Sequence, residues 1–63
     1  MSKADELYRL GVTCYREFDP MWKEHLTKAA ELGSIRAMRY LGKIYEQRLE
    51  YAQAAFWDEK VYL

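Results

Sequence analysis

Cysteine, histidine and proline occur once each in this 63-residue chain, and glycine three times. A lone Cys14 leaves no internal disulfide and fits a reducing compartment, so a cytoplasmic location is expected. One cysteine and one histidine, His25, cannot together build a Cys/His zinc site within one chain. There is no glycine-rich phosphate loop and no metal-ligand spacing, so no cofactor is expected. No apolar run approaches the roughly 20 residues that span a bilayer. The opening Met1-Ser2-Lys3-Ala4-Asp5-Glu6 lacks the apolar segment of a signal peptide. Charge of one sign is missing too, since ten Lys and Arg balance ten Asp and Glu. A general nucleic-acid binder or a polybasic membrane anchor would show a basic excess, so neither partner is expected.

What the chain has in quantity is apolar and aromatic surface, 51% hydrophobic and 16% aromatic, which argues against disorder. Its length fits a single domain, 1–63, with a thin core, because chains this short bury only about 60% of their unfolded surface. Val, Ile and Thr total six residues, while Ala, Leu, Glu, Lys, Arg and Met abound, a mixture that favours helix over strand. Ser2 can cap a first helix whose first turn holds Asp5 and Glu6. Leu7, Leu10, Cys14 and Phe18 follow at helical spacing as its expected buried stripe. Asp19-Pro20 is a stop and restart, so a second helix is predicted from Pro20 to Leu32, ending at Gly33. Ser34 can cap the next.

Beyond Ser34, propensity supports two readings. Ile35, Met38, Leu41, Tyr45, Leu49, Ala52 and Phe56 form one unbroken helical stripe, yet a break near Gln47-Arg48-Leu49 would give two helices that match the first half. An internal repeat favours the break. Leu10-Gly11 and Leu41-Gly42 lie 31 residues apart, each after an apolar-polar helical run. Periods of this size mark stacked helical hairpins. Glycine costs about 1 kcal/mol in a helix relative to alanine, so Gly11 and Gly42 point to close helix approach.

The stretch Lys28-Ala29-Ala30-Glu31-Leu32-Gly33, with Ala37, Leu41-Gly42 and Tyr45, resembles the Sel-one-like repeat family, relatives of the tetratricopeptide repeats. Residues 37–45 fit the family's first-helix pattern and 53–61 its second more loosely. The first repeat, 3–33, is degenerate: Glu6 and Cys14 stand where that pattern has alanine and tyrosine. The glycine-rich turn within each hairpin is missing. The resemblance implies an all-α fold of four helices in two stacked antiparallel hairpins, a short α-solenoid with repeats at 3–33 and 34–63. It also implies a role in complex assembly rather than catalysis.

Chemistry-bearing residues are sparse. Cys14 and His25 fall on different predicted helices at packing positions, and no third group orients them. The carboxylate pairs Asp5/Glu6 and Asp58/Glu59 diverge on polar faces. The chain therefore reads as no enzyme.

Its asymmetry lies in charge. Residues 34–48 hold Arg36, Arg39, Lys43 and Arg48 against Glu46, a local excess of three. First helices of stacked hairpins line a shared face that binds protein segments. Arg9, Thr13 and Arg16, beside Arg36, Arg39, Tyr40, Lys43 and Gln47, would make that face basic and partly aromatic. Its expected partner is another protein, presenting an acidic segment. The chain thus reads as a small adaptor or inhibitor-type module. An alternative partner is a second copy: Tyr8, Val12 and Tyr15 form a second stripe on the first helix, and Tyr51, Trp57 and Tyr62 crowd the last, enough for a homodimer.

Overall fold

The computed structural model describes residues 2–62; Met1 and Leu63, the ends of the expected domain, lie outside them. Four helices follow one another: α1 (Lys3–Arg16), α2 (Trp22–Glu31), α3 (Ile35–Gln47) and α4 (Tyr51–Tyr62). The described residues contain no strand. α1 packs on α2 and α3 on α4, and α2 packs on α3, giving an all-α stack of two helical hairpins. The stack is a slab of 29 × 28 × 12 Å, thin enough that every helix keeps a solvent face. Among the described residues no helix is long and apolar enough to cross a membrane.

Local chemistry sets the helix ends. The Ser2 and Ser34 hydroxyls accept from the backbone N–H groups of Asp5 and Ala37, both at 3.1 Å. Each bond satisfies one of the donors left over in a first helical turn. α2 begins two residues later than predicted. The Asp19 carboxylate accepts from the Met21 N–H at 2.9 Å and holds Pro20 in a turn, so the helix starts at Trp22.

All three turns close the same way. The N–H two residues past the helix cap reaches back to a carbonyl five residues earlier: Asp19 to Cys14 (2.8 Å), Ser34 to Ala29 (3.0 Å) and Glu50 to Tyr45 (2.8 Å). The residue between cap and donor must then be left-handed, the position glycine favours. Gly33 takes it at φ 99°, but Phe18 (φ 59°) and Leu49 (φ 62°) take it in the other two. Those two sit 31 residues apart, as do Gly11 and Gly42, and they explain how the hairpins turn without glycine. The break near Arg48 is therefore present, and the single long helix is not.

The core comprises Leu7, Trp22, Leu26, Ala29, Ala30, Ala37, Leu41, Ile44, Tyr45, Ala54 and Trp57. The predicted stripes are only partly buried. On α1, Leu7 is buried while Leu10 is half exposed and Phe18 almost wholly so. Phe18 lies outside the helix, and the inward side of α1 runs instead through Leu7 and Gly11, with Tyr8, Val12 and Tyr15 packed beside them. The second aromatic stripe of α1 is thus used within the molecule. On the second hairpin Leu41 and Tyr45 are buried; Ile35 is exposed at the start of α3, and Leu49, Ala52 and Phe56 are exposed because the turn at Leu49 ends the periodicity.

The close helix approach expected at both helical glycines holds at Gly11 but not at Gly42, where the nearest backbone atom of α4 would be 3.9 Å from an added Cβ. A Cβ on Gly11 would lie 2.5 Å from Leu26 Cγ and 3.1 Å from the Leu26 backbone nitrogen. One on Gly42 would meet the carboxylate of Asp58 at 2.5 Å.

Candidate functional site

Arg36, Arg39, Tyr40 and Lys43 recur at three- and four-residue steps, so one face of α3 presents all four. α1 contributes Tyr8 opposite them, and the five residues line one open depression of about 460 Å³. The tyrosine rings form its floor. Tyr8 meets Tyr40 edge to face, with centroids 6.1 Å apart, and Tyr40 meets Tyr15 at 6.0 Å. The row continues into the core through Tyr15–Trp22 at 5.5 Å and Trp22–Tyr45 at 6.0 Å. Each such pair contributes about 0.5–1.5 kcal/mol beyond the area it buries. Tyr40 and Tyr8 thus pack against neighbouring rings while each stays partly open to solvent.

Among the described residues, no carboxylate pairs with the cations around that floor. Among the described residues the one ion pair is Arg48–Glu50, at 2.7 Å. Arg36, Arg39 and Lys43 stand on successive turns without a paired carboxylate, and Glu46, one turn further on, pairs with none of them. Like charges at this spacing cost a helix roughly 0.2–0.5 kcal/mol per pair. The arrangement spends stability on concentrated positive charge.

Other expected residues distribute around this centre. Arg16 lines a neighbouring depression, which shares Tyr40 with the first. Gln47 sits at the end of α3, where its Oε1 lies 3.5 Å from the Tyr15 hydroxyl donor. Arg9 and Thr13 share a different depression with Glu6 and Leu10, which has no residue in common with the other two. The structure adds Trp22 and Arg48, which sequence reasoning did not place at this face. The Arg48 guanidinium lies 5.8 Å from the Trp22 ring centroid, a contact that arises only once both hairpin turns have formed.

Cys14 is half-buried against the core, and burial, then the nearby Asp19 and Glu17 carboxylates, push its thiol up from its ordinary pKa. A thiol raised this way stays protonated near neutral pH and is a poor nucleophile. His25 is half-buried on α2. Among the described residues no three His, Cys, Asp or Glu side chains gather closely enough to hold a metal ion.

No protein-family profile matches the chain, and comparison with curated proteins and with solved structures finds no similar one.

Proposed function

We propose that this chain is a non-enzymatic protein-interaction module, of adaptor or inhibitor type, that binds an acidic protein segment across the face of α1 and α3. The observation that carries this reading is the set of three cations, Arg36, Arg39 and Lys43, with no carboxylate partner among the described residues, around the half-open rings of Tyr8 and Tyr40. Carboxylates or phosphates would relieve the cations' mutual repulsion, and the rings supply flat apolar contact at little entropic cost. The Sel-one-like resemblance of residues 37–45, carried by Ala37, Leu41, Gly42 and Tyr45, implies a role in complex assembly without assigning one to Tyr40 or Lys43.

The test is fluorescence anisotropy with a labelled deca-glutamate peptide as probe. The wild type is expected to bind it, and affinity should fall steeply as salt rises from about 50 to about 300 mM. A triple variant Arg36→Glu, Arg39→Glu, Lys43→Glu should bind at least about tenfold more weakly, with unchanged circular dichroism. Equal affinity of the triple variant would overturn the reading.

A second reading, assembly of identical copies, is favoured by α4. Tyr51, Phe56 and Tyr62 stay exposed on it, at 63%, 50% and 86%, although its Trp57 is buried. Sedimentation at about 100 µM decides: a dimer that Tyr51→Lys with Phe56→Lys converts to monomer supports assembly, and a strictly monomeric mass removes it.

A further inference from the structure

The depression that shares Tyr40 with the basic site has a volume of about 590 Å³ and a different character. Its lining includes the rings of Tyr15, Phe18, Trp22 and Tyr40, together with Arg16 and Arg48. Tyr15 stands nearly perpendicular to both Trp22 and Tyr40, at 80° and 89°, so the lining offers ring faces and ring edges together. An incoming aromatic side chain can then make edge-to-face contacts, with Arg16 available for cation–π contact; Arg48 already pairs with Glu50 and lies near the Trp22 ring.

Phe18 supplies the independent observation. It is 93% exposed and held left-handed at φ 59°, so its ring contributes almost no packing while its backbone is strained. Gly33 shows that the same turn is built without this cost. Leu49 holds the same left-handed position in the second hairpin, 70% exposed, so the strain belongs to the shared turn, and what distinguishes Phe18 is its place in the lining of this depression.

We infer that this depression is the anchor pocket of the acidic-segment site, taking an aromatic side chain of the same partner segment. The inference rests on the function proposed above. Tyr8 and Tyr15 lie seven residues apart on α1, which is roughly 10 Å along the helix. An extended chain covers that distance in about three residues. The partner motif is therefore a cluster of carboxylates with a ring about three positions away.

Two labelled peptides test this: one with an acidic run, two alanines and a tryptophan, the other with alanine replacing the tryptophan. The tryptophan peptide should bind at least about tenfold more tightly. Phe18→Gly should remove most of that advantage while raising the thermal midpoint by about 5 °C. Leu49→Gly relieves the same backbone strain outside the pocket, so it should raise the midpoint and leave the advantage intact. Equal affinities of the two peptides, or a full advantage retained by Phe18→Gly, would overturn the anchor pocket and leave acidic-segment binding standing. Absence of binding by either peptide at about 1 mM would overturn both readings. Tighter binding of an oligothymidylate than of either peptide would assign the face to single-stranded nucleic acid and do the same.

Discussion

Leu26→Ala is expected to remove about half or more of the protein's stability. Leu26 is fully buried near the centre of α2 and occupies the space that the missing side chain of Gly11 opens on α1. Truncating a buried leucine costs about 2–5 kcal/mol, through lost transfer free energy and the cavity left behind. A chain this short has only about 3–9 kcal/mol in total at typical stability per residue. The neighbouring core residues Ala29 and Ala30 are small, so little side-chain material is available to fill the hole. Urea unfolding followed by circular dichroism should show the midpoint falling by half or more. A variant within about 1 kcal/mol of wild type would contradict the packing described.

Gly11→Ala should be nearly as damaging, against its helix propensity. Alanine gains about 1 kcal/mol over glycine in a helix interior. At Gly11, however, the methyl group would fall 2.5 Å from Leu26 Cγ and 2.6 Å from its Cδ2, with the α2 backbone at 3.1 Å behind them. The side chain has no free volume to retreat into, so α2 must move away from α1. A net loss of about 2–3 kcal/mol is expected, in the range of overpacked cores. Gly42→Ala is the internal control. Its methyl group meets the end of the exposed Asp58 side chain, which can swing into solvent, so that variant should be neutral or slightly more stable. Combining Gly11→Ala with Leu26→Ala should cost less than the sum of the two, by roughly 1–2 kcal/mol, because the smaller side chain admits the methyl group. Strict additivity would mean that the two residues do not touch.

Much of the architecture is legible in the sequence, and for reasons that can be named. Helix starts at Ser2 and Ser34 and the stop at Gly33 are local chemistry, decided by one side chain and its nearest backbone groups. The break after Gln47 was legible only through the 31-residue repeat, since leucine at position 49 carries no turn signal of its own. The start of α2 was misplaced because Asp19 and Pro20 suit either a cap or a turn, and only the bond to the Met21 N–H separates them. The buried stripes were partly misread for a different reason. α1 serves two neighbours, α2 through Gly11 and α3 through Tyr8 and Tyr15, so its inward face is broader than one helical stripe and excludes Leu10.

The candidate site divides along the same line. Arg36, Arg39, Tyr40 and Lys43 share a face of one helix, so helical periodicity alone groups them. Arg9 depended on which side of α1 is buried, and it lies among Glu6, Leu10 and Thr13 instead. Trp22 and Arg48 come from different hairpins and meet only after both turns have closed, which no local pattern encodes.

Amide chemical-shift mapping with the deca-glutamate peptide tests binding by the α1–α3 face most directly. The largest perturbations should cluster at Tyr8, Arg36, Arg39, Tyr40 and Lys43 and fade as salt is added. Perturbations centred on Tyr51, Phe56 and Tyr62 of α4, or an unchanged spectrum at peptide excess, would contradict it.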